Sequence, residues 1–165
     1  MTTIEVREAR PDELRAAGDV VERAYRALGG DQNERYLGHV RDAAWRARHC
    51  PILVAVDPRD GAVLGSVTYV PGSDNRLAEL AGPGEAEFRM LGVVPEGQGR
   101  GAGEALVRAC IDRARASGRT GIAISTSTRM RAAHRLYERL GFRRAPDRDW
   151  SPVPGVDLLA YVLDL

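Results

Sequence analysis

The chain has 165 residues, 44% of them hydrophobic, enough for one well-buried core and short for two, so a single domain over residues 1–165 is expected. Its 24 basic residues oppose 23 acidic ones for a formal net charge of +1, and no net field favours nucleic acid or an anionic membrane as partner. All 24 basic residues are arginine, so the chain offers no lysine amine to an acylating agent.

In chain order, Thr3 to Ala9 alternates as a first strand. Arg10 to Gly30 then reads as a capped helix, with proline and acids at its start and Gly29-Gly30 at its end. Its apolar positions, Leu14, Ala17, Val21, Ala24, Tyr25 and Leu28, recur at helical spacing and predict one buried face. A second helix over about Glu34 to His49 carries Leu37, Val40, Ala44 and Trp45 in the same way. Pro51 to Val70 holds two runs rich in branched residues around Asp57-Pro58-Arg59-Asp60-Gly61, which predicts a hairpin. Pro71 to Gly84 is a long polar connection, and such loops often carry function.

A fourth strand is expected from about Ala86 to Val94, and after a glycine loop a helix from about Ala102 to Ser117 with Leu106, Val107, Cys110, Ile111 and Ala114 inward. Thr120 to Thr126 reads as a fifth strand and Arg129 to Phe142 as a helix ended by Gly141. Strands near Phe142 to Ala145 and Val156 to Leu165 close the chain. The predicted order is β-α-α-β-β-β-α-β-α-β-β, an α/β or α+β mixed-sheet domain. Cys50 and Cys110, far apart and in apolar helical settings, read as core residues. His39, His49 and His134 read as ordinary helical histidines, and no metal-ligand spacing or Ser-His-Asp arrangement is visible. The N-terminal MTTIEVREAR lacks a charged region followed by an apolar stretch, and no window approaches about 18 uninterrupted apolar residues. A soluble cytoplasmic protein is the expectation.

The glycine loop is the informative segment. Gly97, Gly99, Gly101 and Gly103 fall between a strand and a helix N-terminus, where first-turn amides lack intrahelical partners and the helix dipole favours an anion. A Walker loop needs Gly-Lys-Ser/Thr, which a chain without lysine cannot supply. Gly97 to Ala102 also fits the dinucleotide pattern G-x-G-x-x-G/A, but that fold wants an acid at the end of the next strand. Here the strand ends Ser125-Thr126-Ser127-Thr128, with no Asp or Glu between Asp112 and Glu138.

Gln98-Gly99-Arg100-Gly101-Ala102-Gly103 matches the Q/R-x-x-G-x-G/A signature, and through it the chain resembles the GNAT superfamily of acyl-coenzyme A-dependent N-acyltransferases. Ala133, Leu136, Tyr137, Gly141 and Phe142 are similar to that family's second motif, A-x-x-L-Y-x-x-x-G-F. The resemblance implies a GNAT fold and acetyl-coenzyme A as cosubstrate. Its pyrophosphate would lie on Gln98 to Gly103, and the cofactor would enter an opening between the fourth and fifth strands. It further implies that a main-chain amide near Leu91, Gly92 or Val93 holds the oxyanion, with Gly92 suited to a bulge. Tyr137 would protonate the leaving thiolate, against the plain alternative that the Leu136-Tyr137 pair of an amphipathic helix is simply core. Glu87, six residues before Val93, resembles the position of a general base in some members, against the plain alternatives of a solvated charge or an ion pair with Arg89; Glu85 is a weaker candidate.

One position departs from the pattern. Met130 stands where the family often has an Asn that contacts the pantetheine arm. The resemblance implies an N-acetyltransferase acting by direct attack in a ternary complex, with no metal. Its acceptor would be a small-molecule or peptide amine, with small amine, antibiotic, peptide N-terminus and protein lysine all left open, gripped by the first two helices, the Pro71 to Gly84 loop and the tail around Trp150 to Gly155. Asp74, Glu79 and Glu85 would suit a cationic amine, and a homodimer is compatible with this reading. The alternative from another class is a non-catalytic acyl-coenzyme A-binding regulatory module.

Overall fold

In the computed structural model, which describes residues 3–29 and 33–165, there are eight strands of a mixed sheet and five α-helices. The strands are β1 (Glu5–Glu8), β2 (Ile52–Val56), β3 (Val63–Val70), β4 (Glu85–Val93), β5 (Gly121–Ser127), β6 (Arg143–Arg144), β7 (Trp150–Val153) and β8 (Val156–Asp164). The helices are α1 (Leu14–Ala27), α2 (Glu34–Arg41), α3 (Ala43–Ala47), α4 (Ala102–Ala116) and α5 (Arg131–Arg139). The chain divides into two units: the segment through Tyr69 together with Met90–Cys110, and Val70–Arg89 together with Ile111–Leu165. Strand β4 passes from the second into the first.

In the first unit the strand order is β1-β2-β3-β4. The β2–β3 hairpin is antiparallel, with a register shift between Ala55 and Val56, and all five β2 residues are buried, as their branched composition requires. A 3₁₀ turn at Pro11–Glu13 leads into α1. Ala17, Val20 and Val21 of α1 are buried, and Gly18 lies so close to α2 that an added Cβ would sit 1.9 Å from the Arg41 carbonyl oxygen. The inward face stops short of the expected one: Leu28, outside the helix end, is 43% exposed. Gly30, expected at that end, lies outside the described residues.

The long second helix is two helices. Asp42 adopts φ −83° and ψ 63°, which ends α2, and its Oδ1 accepts from the Trp45 amide 3.1 Å away to cap α3. The break resets the helical phase. Ala43 and Arg46 turn inward, while Ala44 and Trp45, expected inside, are exposed. His49 and Cys50 consequently follow a helix rather than lie in one, though Cys50 is buried, as is Cys110 in α4.

In the second unit the order is β4-β5-β8-β6, with β7 against β8. The short β7 strand, absent from the sequence-based order, returns onto β8 with Trp150 opposite Leu158 and Val153 opposite Val156. Strands β4 and β5 run parallel but pair only at Glu85–Gly121 and Ala86–Ile122. From Glu87 onward β4 is not laddered to β5, whereas β5 continues on β8 as far as Ser127–Leu158. Phe88, Tyr137, Phe142 and Tyr161 make an aromatic cluster there, with ring centroids 5.7 to 6.1 Å apart. No helix among the described residues is long and apolar enough to cross a membrane.

Candidate functional site

The glycine loop belongs wholly to the first unit. Strand β4 leads into a 3₁₀ turn at Pro95–Gly97, whose Gly97 packs tightly enough that a Cβ would lie 3.0 Å from that of Leu64. Gly99 and Gly101 then take φ of +76° and +80°, the left-handed region in which a side chain is disfavoured, and nothing stands within 4 Å of where their Cβ atoms would be. The backbone there is bare and open. Ala105 donates to the Gly101 carbonyl at 2.9 Å, a bond that opens α4, and the first-turn amides of Ala102 and Gly103 precede it without intrahelical partners. Gln98 and Gly99 are exposed and Ala102 is buried. This arrangement fits a pyrophosphate, because backbone amides at the N-terminus of a 15-residue helix suit an anion and no β-carbon stands at Gly99 or Gly101.

Arg100 is fixed by a residue that sequence reading treated only as a turn former. Asp57, in the β2–β3 turn, accepts from Arg100 Nη2 at 2.9 Å and from the guanidinium and amide of Arg59, and it is 3% exposed. The Arg59 and Arg100 hydrogen bonds hold the Asp57 carboxyl well below the usual carboxylate range.

The last residues of β4 lie in the same unit. Leu91 and Val93 are half-buried and Gly92 is buried. The irregular backbone expected at Gly92 occurs at Met90 instead, the one non-glycine with positive φ (56°) among the described residues. Gly92 serves packing: a Cβ there would lie 2.9 Å from Val21 Cα, so its absence lets α1 approach the strand.

Glu87 and Tyr137 belong to the second unit. Glu87 is 0% exposed, and its Oε1 accepts the amides of Glu79, Leu80 and Ala81 at 3.0, 2.9 and 2.9 Å. Its Oε2 is buried with no hydrogen-bond partner among the described residues. Neither a solvated strand-end charge nor a pair with Arg89 describes it. Arg89 instead binds the Leu77 carbonyl at 3.0 Å and the Glu79 carboxylate at 2.9 Å. Burial pushes the Glu79 carboxyl up, against the pull of Arg89.

Arg148, from a 3₁₀ turn at Pro146–Arg148, donates to the Leu80 carbonyl at 2.8 Å and pairs with Glu85, whose carboxyl it holds below the ordinary value. The segment from Leu77 to Glu85 is thus clasped by Glu87, Arg89 and Arg148. Nothing in the local sequence signals the clasp, because most of its contacts on the segment are to backbone amides and carbonyls.

Tyr137 is 4% exposed within the aromatic cluster, and its carbonyl accepts from the Phe142 amide at 2.9 Å, tying the end of α5 to β6. Met130 is the N-cap of α5 and makes no side-chain capping bond. The Nε2 atom of His134 lies 2.9 Å from the Ser127 carbonyl, and the ring stacks on Tyr161. No group of three or more His, Cys, Asp or Glu among the described residues is placed to hold a metal ion.

Residues 15–142 match the family model described as the acetyltransferase (GNAT) family. The chain belongs to that family. It is 36% identical over 179 aligned residues to a mycothiol acetyltransferase of Mycobacterium sp. (strain JLS), an alignment covering 98% of this chain and 52% of the relative. The chain therefore spans about half the length of that curated relative. Among solved structures, a GNAT acetyltransferase from Staphylococcus aureus Mu50 superposes with a TM-score of 0.75 at 13% identity, over 99% of both chains. The PaiA N-acetyltransferase from Thermoplasma acidophilum, solved in complex with coenzyme A, superposes with a TM-score of 0.73 at 16% identity, again over 99% of each chain. At such identities these structures establish the GNAT fold of the chain.

Proposed function

We propose that this GNAT chain, acting as a single catalytic domain, moves an acetyl group from acetyl-coenzyme A to a primary amine by direct attack in a ternary complex. The observation that carries the reading is the glycine loop: two left-handed glycines with open space beside them, opening onto a helix N-terminus within a chain matched to this family. Gln98, Gly99, Arg100, Gly101, Ala102 and Gly103 hold the pyrophosphate, largely through backbone amides. A backbone amide of Leu91, Gly92 or Val93 stabilises the developing oxyanion.

The remaining steps are proton transfers. The neutral amine forms the new C–N bond as the C–S bond breaks; the amine loses a proton and the departing thiolate gains one. Tyr137 donates to the sulfur and is reprotonated from solvent. Glu87 takes the amine proton, directly or through water, on Oε2, the oxygen that no donor among the described residues occupies. A small-molecule or peptide amine suits the acidic groups of the Pro71 to Gly84 loop.

A coenzyme A-binding module without turnover is the second reading, favoured by the three amides that tie Glu87 into the fold as an anchor. Free-thiol release from acetyl-coenzyme A across a panel of amines separates the two. Amine-dependent release supports the enzyme and names the acceptor class, whereas coenzyme A binding without release from any amine selects the module.

A further inference from the structure

The β2–β3 turn adds to the glycine loop a charge arrangement that the loop alone lacks. Asp57 is almost fully buried, yet it receives two guanidiniums, one from two residues along its own turn and one from Arg100, 43 positions away. Arg59 reaches it with Nε at 3.3 Å on Oδ1 and Nη2 at 3.0 Å on Oδ2, and its own amide donates to Oδ1 at 2.9 Å. Arg100 reaches Oδ2 through Nη2 alone, at 2.9 Å. Asp57 thus hydrogen-bonds two guanidiniums and fixes where both planes lie, while the Asp60 carboxylate also acts on Arg59 from the same turn.

Two further features make the pair available to a ligand. Arg100 makes no other hydrogen bond or ion pair among the described residues, so its Nε and Nη1 remain as donors. The Arg59 side chain is 68% exposed even though its guanidinium is held. Two oriented guanidiniums with spare N–H groups suit a phosphate monoester dianion, whereas the bare amides of Gly99 to Gly103 suit the more diffuse charge of a pyrophosphate diester. Coenzyme A carries both groups.

Resting on the reading that coenzyme A is the cosubstrate, we infer that Asp57, Arg59 and Arg100 form a second phosphate subsite that takes the 3′-phosphate. Arg59 and Arg100 contact the phosphate. Asp57 touches no ligand and is a positioning residue: it orients both guanidiniums and ties the hairpin turn to the glycine loop.

Titration calorimetry of the full chain with coenzyme A and with 3′-dephospho-coenzyme A tests this without relying on turnover. The wild type should bind coenzyme A about tenfold or more tightly than the dephospho form, the scale of a charge-assisted contact. Arg59→Gln, at an exposed position where folding is not at stake, should weaken coenzyme A alone and bring the two affinities together. Asp57→Asn, checked for folding by circular dichroism, should shift the ratio in the same direction. Equal wild-type affinities, or an Arg59→Gln variant that leaves the ratio unchanged, would overturn the subsite while leaving the cosubstrate reading intact. Failure of the wild type to bind either ligand would overturn both, and tight binding of inorganic phosphate alone would reassign the arginines to a free anion.

Discussion

The Tyr137 ring is held by Phe88, Phe142 and Tyr161 at centroid distances of 5.7 to 5.9 Å, so its packing and its hydroxyl can be separated by mutation. Tyr137→Phe keeps the ring and deletes the proton donor. A group that donates mainly as the C–S bond breaks affects the transition state, and kcat should fall by about ten- to a thousandfold with KM for acetyl-coenzyme A little changed. Steady-state kinetics on the folded variant checks this, and wild-type turnover would return Tyr137 to a packing role. Glu87 separates in a similar way. Glu87→Gln keeps an acceptor oxygen for the Glu79, Leu80 and Ala81 amides but removes the proton acceptor; kcat should drop at least about tenfold with stability nearly retained. Glu87→Ala strips the anchor as well and should cost roughly 2–4 kcal/mol in urea denaturation. Full activity in Glu87→Gln would leave Glu87 as an anchor only.

At the scale of elements, glycines with similar local contexts have opposite roles. Gly18 and Gly38 both lie within helices, and nothing in the neighbouring sequence distinguishes them. An added Cβ at Gly18 would meet the Arg41 carbonyl oxygen at 1.9 Å, while one at Gly38 meets nothing within 4 Å. Gly18→Ala should therefore force α1 and α2 apart and cost about 2 kcal/mol or more, whereas Gly38→Ala should stabilise by about 0.5–1 kcal/mol through helix propensity. Urea denaturation of the two variants checks the opposite signs. The same limit on local pattern explains the α2–α3 break. Leu37, Val40, Ala44 and Trp45 have helical spacing across Asp42, but a capping carboxylate competes with helix continuation, and periodicity does not record which prevails.

Across the whole molecule, acid stability should follow carboxylates held in ion pairs. Arg7 holds Glu13 down to about 2, and Arg144 with the Ala160 amide holds Asp149 down to about 2. For a carboxylate whose folded pKa is depressed, the unfolded chain binds more protons. The stabilisation is complete above the ordinary carboxylate range and is lost as pH falls through it toward the folded value. Urea midpoints should accordingly be nearly flat above about pH 5 and decline from about pH 4.5 to 2, with a shallower decline in Glu13→Gln. An unchanged slope in that variant would show that Arg7 gives Glu13 no net stabilisation in the folded state.

Element order, the glycine loop and the second motif are local in the chain, because period, capping and turn chemistry act over a few residues; the sequence by itself therefore determined the mixed α/β class, the loop ahead of α4 and the family. What the tertiary structure decided depends on residues distant in sequence meeting in space. The Asp57–Arg100 contact spans 43 positions, Arg148 reaches Leu80 across 68, and the donors to Glu87 are backbone amides that carry no side-chain signature. The positive φ falls on Met90 rather than on Gly92, whose missing side chain admits α1 instead. Whether a buried carboxylate is an anchor, an acid or a holder of arginines depends on which donors surround it, and only the folded chain brings those donors together.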